Sequence, residues 1–314
     1  MREKELTDDL VQPFQLCSSS LRGRLVRLGP ALNLILHQHA YPGPVGALVG
    51  EAMTIAAALG TALKYEGVFT FQVKGDGDVR MLVADVMSDG GIRAYAQFTQ
   101  GMSSSSGRTA AQLLGKGHLA LTCTLTRPLQ GIAESPAEKQ HQNDRYQGIV
   151  SLEGESLAEA VQHYFRQSEQ IPTGIVVAVH QDEQQRWRGG CLMLQRVPRE
   201  GGMIVERDTS TEDDWLRAMM LMGTCTPAEL TDFALEPNQL LYRLFHEEGV
   251  RVFDPHAFRH QCRCSEERVT NMLRSLPRTE VEDMAVDGVV SVTCEFCNRS
   301  YRFNQMQRQE LYAK

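Results

Sequence analysis

The sequence predicts an α+β protein: an N-terminal domain that is mainly antiparallel sheet with helices, a helical linker, and a small C-terminal zinc-binding module. Three observations carry that prediction. Residues 68–98 hold three alternating runs joined by glycine turns, residues 44–63 hold a long apolar stripe at helical spacing, and the end of the chain holds two close cysteine pairs. Strands and helices that come in separate blocks, instead of alternating one for one, favour α+β over a parallel α/β sheet.

At 314 residues the chain has room for about two domains. Apolar residues at 42% and charged residues at 23% are ordinary for a globular protein, which excludes wholesale disorder. The net charge of −7 disfavours non-specific binding to nucleic acid, which draws on clustered Lys and Arg. The first nine residues carry both signs of charge and lack the apolar run of a signal peptide. The most apolar stretch, 45–65, includes Glu51, Thr54, Thr61 and Lys64, too polar to span a bilayer. We therefore expect a cytoplasmic protein with no membrane partner, whose thiols stay reduced. Cys17, Cys123, Cys191 and Cys225 are isolated and are taken as ordinary thiols.

In chain order, Leu10, Val11, Phe14 and Leu16 precede an Arg-Gly-Arg-Leu-Val-Arg-Leu run at 22–28. Its arginines have the look of a nucleic-acid patch, but the spacing of Leu25, Val26 and Leu28 fits a strand with solvated arginines better. A helix is expected from Pro44, with Val45, Leu48, Val49, Ala52, Met53, Ala56, Leu59 and Leu63 on one stripe and Gly67 as its stop. Residues 68–74, 79–87 and 92–98 alternate as three strands around turns at 75–77 and 89–91, an antiparallel meander. The glycine loops at 75–77 and 115–117 lack the spacing of a phosphate cradle and are assigned to turns. After the polar loop 103–106, residues 119–126 alternate and place Cys123 on an apolar face. Ser156 and Glu159 have capping-box spacing before a helix bearing Leu157, Val161, Tyr164 and Phe165, ended by Pro172. Residues 175–179 and 191–194 are two further strands around a polar turn at 181–186.

Composition shifts at the Arg-Glu-Gly-Gly run, 199–202, which sets the first boundary: an α+β core over 1–200, a helical linker over 201–258, and a module over 259–314. Thr211 and Thr226 begin capping signals, and a third helix after Pro237 carries Leu240, Leu241, Leu244 and Phe245 before Gly249. Met219, Met220, Leu221 and Met222 form either a packed face or an adaptable surface, since thioether side chains repack easily. Short helices depend on what they dock against, so the linker should be the least independently stable segment.

The chemistry sits at Cys262-Arg-Cys264 and Cys294-Glu-Phe-Cys297. Two close pairs brought together from distant segments suit tetrahedral Zn²⁺, and four thiolates leave no open position for catalysis. Such a site is either structural or a redox sensor, because thiolate is also what oxidants attack. A C-terminal module this small is expected to unfold without its metal, because structural zinc contributes about 10–16 kcal/mol. Ser265 should cap a helix bearing Val269, Met272, Leu273 and Leu276, stopped by Pro277, and 289–293 should be a strand that delivers Cys294. Arg259, Arg263, Arg268, Arg299 and Arg302 lie near the cysteines in sequence, either offsetting thiolate charge or simply solvated. No Ser-His-Asp, His-x-x-x-His or paired-carboxylate pattern is found, and His37, His39, His163 and His180 are assigned to the surface or to satisfied positions. No enzyme activity is expected.

The two cysteine pairs, with Ser265-Glu-Glu-Arg-Val269, Asn298, Tyr301 and Phe303, resemble the redox-regulated 33 kDa heat-shock chaperones. Gly43-Pro-Val-Gly46, Leu63-Lys64, Tyr146-Gln-Gly-Ile-Val150 and the stretch from Tyr164 to Thr173 match as well, so the resemblance covers nearly the full chain. His260 departs from the aromatic or aliphatic residue usual there and leaves the ligand set untouched. The resemblance implies a holdase that works without ATP. Its reduced form, with one zinc on Cys262, Cys264, Cys294 and Cys297, is idle; oxidation pairs Cys262 with Cys264 and Cys294 with Cys297, expels zinc and unfolds the linker and module. The exposed surface then binds unfolding client proteins, and the active form is a homodimer. Two rivals remain on the residues themselves: a zinc-ribbon nucleic-acid binder, and a thiol oxidoreductase using Cys294 and Cys297.

Overall fold

The computed structural model describes residues 8–19, 21–102, 107–126, 145–196 and 209–312. The loop expected at 103–106 and the boundary at 199–202 lie outside the described residues, as does the side chain of Thr211. The chain divides into two compact units, Met1–His260 and Gln261–Lys314.

In the first unit the described strands are β1 (Leu10–Leu16), β2 (Leu21–Leu28), β3 (Gly67–Gly75), β4 (Val79–Met87), β5 (Gly91–Phe98), β6 (Gly117–Leu125), β7 (Arg145–Ser151), β8 (Thr173–Gln181), β9 (Trp187–Arg196), β10 (Val250–Val252), β11 (His256–Ala257) and β12 (Arg259–His260). Its helices are α1 (Pro30–His37), α2 (Gly43–Gly60), α3 (Ala110–Leu114), α4 (Leu157–Tyr164), α5 (Thr209–Gly223), α6 (Pro227–Thr231) and α7 (Pro237–Phe245). The strands form two six-stranded sheets. One runs β10-β1-β2-β9-β8 with β11 also on β1; the other runs β12-β5-β4-β3-β6-β7. All pairings are antiparallel except β12 on β5. The α+β expectation is borne out, and the meander of β3, β4 and β5 falls where alternation placed it.

Helix α2 lies between the two sheets. Val45, Leu48, Val49, Ala52, Met53, Ile55, Ala56 and Leu59 are buried with Phe69, Phe71, Leu82 and Val86 from one sheet and Val26, Cys191 and Met193 from the other. It is the one described helix long and apolar enough to cross a membrane by composition, and 78% of that span is buried inside the protein. The helix ends at Gly60, seven residues before the predicted stop. Gly67 opens β3 instead, and its lack of a side chain serves packing: a Cβ there would lie 2.0 Å from the Thr124 carbonyl oxygen on β6.

The second face of the β1–β2–β9–β8 sheet is covered by α5, α6 and α7. Phe14, Leu16, Leu21, Leu25, Leu192 and Leu194 from the sheet bury against Ala218, Met222, Leu230, Leu240, Leu241, Leu244 and Phe245. This cover corrects the expectation of solvated arginines at 22–28 for Arg27; Arg22 is exposed as expected, and Arg24 is half-buried. Arg27 is only 2% exposed and donates to the backbone carbonyls of Leu235 and of Glu229, the latter at 3.2 Å. Burial holds its guanidinium below the usual arginine range, with Asp8 and Asp232 opposing. The helices sit close to the strands: a Cβ at Gly190 would lie 2.3 Å from the Leu230 carbonyl. Of the methionine run, Met222 is buried, Met219 and Leu221 pack at the margin, and Met220 is exposed. Thr226 and Glu229 form the predicted capping box. Thr211, by contrast, lies inside α5, which starts two residues earlier.

The second unit holds α8 (Glu266–Arg274), α9 (Arg278–Asp283), α10 (Gln305–Leu311) and a hairpin of β13 (Val290–Thr293) with β14 (Ser300–Phe303). Its core is small: Leu273, Val281, Val290, Tyr301, Phe303 and Leu311. At its centre lies a charged residue that no motif marked. Arg308 is 4% exposed; it pairs with Glu282 at 2.9 Å and donates to the carbonyls of Gly288 and Phe303 at 2.7 and 3.3 Å.

Candidate four-thiol centre

Each cysteine pair is placed by a local turn that its own sequence dictates. Ser265 accepts from the Arg268 amide and starts α8, as predicted, so Cys264 lies immediately before a helix N-terminus. A helix N-terminus favours a neighbouring negative charge. On the other side, β13 ends at Thr293, and the backbone folds back so that the Cys294 amide donates to the Arg299 carbonyl at 2.9 Å and the Asn298 amide to the Cys294 carbonyl at 2.8 Å. Asn298 takes φ 55°, a left-handed conformation that asparagine tolerates better than most residues. The hairpin then returns as β14.

The four predicted cysteines converge. Their Sγ atoms all lie within 4.8 Å of one another, with Cys262 to Cys264 at 3.4 Å, Cys262 to Cys294 at 3.7 Å and Cys264 to Cys297 at 3.4 Å. All four are free thiols and half-buried. With zinc–sulfur bonds of about 2.3 Å, a tetrahedral site has sulfur–sulfur edges of about 3.8 Å. The donor set therefore fits a single metal ion, and no other described cluster of Cys, His, Asp or Glu does so.

One partner of the site was named in the sequence only as part of a resemblance. The Tyr301 hydroxyl donates to Cys264 Sγ at 3.1 Å. Burial pushes the Cys264 thiol up, but the hydrogen bonds from Tyr301 and the neighbouring sulfurs outweigh it and bring the thiol down to about 7. Burial raises Cys262, and burial together with hydrogen bonds to its neighbours raises Cys297 well above the ordinary thiol range. The signal for Tyr301 was available: it alternates with Phe303 on the inward face of β14.

The neighbouring arginines divide. Arg259 forms an ion pair with Asp89 at 2.6 Å, Arg268 donates to the Arg263 carbonyl, and the Arg299 guanidinium lies 5.3 Å from the Tyr301 ring centre. The isolated cysteines stay apart from the site: Cys191 and Cys225 are buried, with their thiols pushed up by burial, Cys123 is half-buried and Cys17 exposed. His163 proves to have a partner, Glu153 at 3.2 Å, and His37 contacts the Gln185 carbonyl. The glycine loops at 75–77 and 115–117 are turns that bond to each other, the Asp76 amide donating to the Lys116 carbonyl.

The chain thus combines a two-sheet α+β body with a small unit that brings four thiols together. The chain belongs to the Hsp33 family: the family model described as Hsp33 protein matches residues 9–304. It is 37% identical over 306 residues to the 33 kDa chaperonin of Caulobacter vibrioides strain NA1000, covering 95% of each chain. It is 35% identical over 302 residues to that of Photobacterium profundum, covering 96% of this chain and 94% of the relative. The crystal structure of the 33 kDa chaperonin from Thermotoga maritima, a heat shock protein 33 homolog, shares the fold with a TM-score of 0.78 at 22% identity, covering 96% of this chain and 97% of that one.

Proposed function

We propose that this chaperone is a cytoplasmic holdase switched on by oxidation and independent of ATP, with the four thiols as its sensor. The observation that carries the reading is the convergence of Cys262, Cys264, Cys294 and Cys297 as free thiols at the spacing a single zinc ion requires. Zinc held there would fix the two turns together and supply folding free energy to a unit with a small apolar core. In the reduced state the helices α5–α7 stay on the sheet and the protein is idle.

Oxidation consumes the ligands. Each dithiol loses two electrons and two protons to a peroxide, which becomes two molecules of water, and a disulfide forms in each pair, Cys262 with Cys264 and Cys294 with Cys297. The family resemblance supports that pairing. A disulfide sulfur is a poor ligand, so the module loses its metal and its fold. Release of α5–α7 would then expose Phe14, Leu16, Leu21, Leu25, Leu192 and Leu194, a continuous apolar sheet face suited to the exposed apolar segments of unfolding clients. Association of two active chains into a homodimer belongs to the same reading, which includes no nucleic acid and no membrane.

Aggregation of a denaturing client, followed by light scattering, tests the proposal. The zinc-loaded reduced protein should leave aggregation unchanged, and the peroxide-treated protein, with one zinc released per chain, should suppress it. Equal suppression in both states would refute the switch. Turnover of a disulfide substrate by the metal-free protein would favour an oxidoreductase.

A further inference from the structure

The arginine run set aside in the sequence as a solvated strand holds a second feature besides Arg27. Cross-strand partners on antiparallel strands share a face, and the register of the first sheet aligns one row across five strands: Arg251 on β10, Gln15 on β1, Arg22 on β2, Gln195 on β9 and Thr173 on β8. Arg24 lies two residues along β2 on the same face. Arg22 and Arg251 are exposed and Arg24 half-buried. The arginines on the rest of this sheet that are drawn into the fold have anionic or carbonyl partners: Arg188 with Asp8, Arg196 with Glu212, and Arg27 with two carbonyls. Arg22, Arg24 and Arg251 make no ion pair among the described residues, and the Arg24 Nε, like those of Arg27 and Arg188, is buried without a partner. Burial, with the like charge of Arg22 as the lesser cause, brings Arg24 down to about 10.

We propose that this face is a binding site for a linear chain of phosphate groups, with Arg22, Arg24 and Arg251 as its cationic contacts and Gln15 and Gln195 as flanking amides. Spacing decides between one phosphate and several. Arg22 and Arg24 are about 7 Å apart along the strand, and Arg251 lies two strands, about 10 Å, from Arg22. Three guanidinium groups spread that far address successive groups of one extended anion. Phosphate meets a guanidinium fork with several acceptor oxygens and carries more charge per group than a carboxylate. Nucleic acid fits less well. A single strand is held by aromatic stacking as well as charge, and the Phe253 ring already lies under the Arg251 guanidinium at 5.3 Å. The inference rests on the first unit alone and stands apart from the redox reading.

Isothermal titration of the intact, reduced, zinc-loaded chain with inorganic tripolyphosphate tests it. The result expected is saturable binding that is tighter than for orthophosphate and weakens as salt rises. Arg22→Gln and Arg251→Gln, both at exposed positions, should each weaken binding about five- to tenfold with an unchanged melting temperature. Arg24→Gln should weaken it at least as much, its melt checking that the sheet is intact. Absence of saturable binding, or undiminished binding by the Arg22→Gln/Arg251→Gln double variant, would overturn the proposal. So would tighter binding of a single-stranded oligonucleotide lost in the same variants, which would make the face a nucleic-acid site.

Discussion

Replacing Arg27 by methionine should loosen the helices over the first sheet without disturbing the core around α2. Arg27 reaches from β2 to two carbonyls, Glu229 on α6 and Leu235 just before α7, while 2% exposed. A hydrogen bond from a charged donor contributes about 1.5–3 kcal/mol, so two give about 3–6 kcal/mol gross. Part of that is offset because the guanidinium is itself desolvated, as its lowered pKa shows. Methionine fills similar volume without the charge, leaving two buried carbonyls unpaired. A net loss of about 2–4 kcal/mol is expected, or roughly a 30- to 1,000-fold rise in the opening equilibrium of 226–245 at about 1.4 kcal/mol per tenfold. Native-state hydrogen exchange reads this directly: amides of α6 and α7 should lose protection by that factor, and those of α2, β3 and β4 should keep theirs. On the functional proposal, the reduced zinc-loaded variant should also gain partial holdase activity. Equal loss of protection in α2 and α7 would show that Arg27 stabilises the whole unit, and no loss anywhere would show that its hydrogen bonds contribute nothing net. Either result refutes the reasoning.

Other outcomes follow from single side chains. Glu51 on α2 is held up to about 7 by burial, against hydrogen bonds from the Ala158 and Leu157 amides. The folded state therefore keeps a proton that the unfolded state releases above about 4.5, and stability falls as pH rises from about 4.5 to 7. Glu51→Gln should remove that fall and raise stability at pH 8 by up to about 3 kcal/mol, with little change at pH 4, measured by urea unfolding. Arg308→Met strips Glu282, Gly288 and Phe303 of a buried partner and should cost about 3–5 kcal/mol. Its second unit should release zinc to a chelator faster, as a thiol- or metal-sensitive dye reports. Gly67→Ala forces a methyl into the Thr124 carbonyl and should lower the melting temperature of the first unit by several degrees, while metal binding by the four thiols is unchanged.

Features specified locally were the most legible in the sequence. The strands β3, β4 and β5 show strict alternation between glycine turns, and the caps at Ser156, Thr226 and Ser265 name their own helices. The four cysteines were found by type and spacing alone. Features that depend on distant packing were not found. Edge strand β7 has no alternation to detect, because most of its residues are exposed on both faces. The two-residue strand β12 exists only through its parallel partner β5. Arg27 looked solvated because a strand's own pattern cannot reveal that helices some two hundred residues later will cover its outer face. Helix α2 fooled the stop rule for a related reason: Leu63 continues the apolar stripe, but it is 50% exposed and lies beyond the end at Gly60.

The division of the apolar core explains how a chain of this kind could release a large segment and remain folded. The β1–β2–β9–β8 sheet is buried on both faces, but by two different partners. One face is closed by α2, which also packs on the second sheet, so that cluster joins both sheets into one body. The other face is closed by α5–α7 alone. Removing those helices would uncover one sheet face while leaving every strand pairing of β2, β8 and β9 and the whole α2 cluster in place. A sheet covered by a single helix layer on one side could not do this without losing its core. The separable layer shares its apolar cluster with the sheet and is pinned to it by Arg27 on two carbonyls and by Arg196 on Glu212, so its release takes the loss of both.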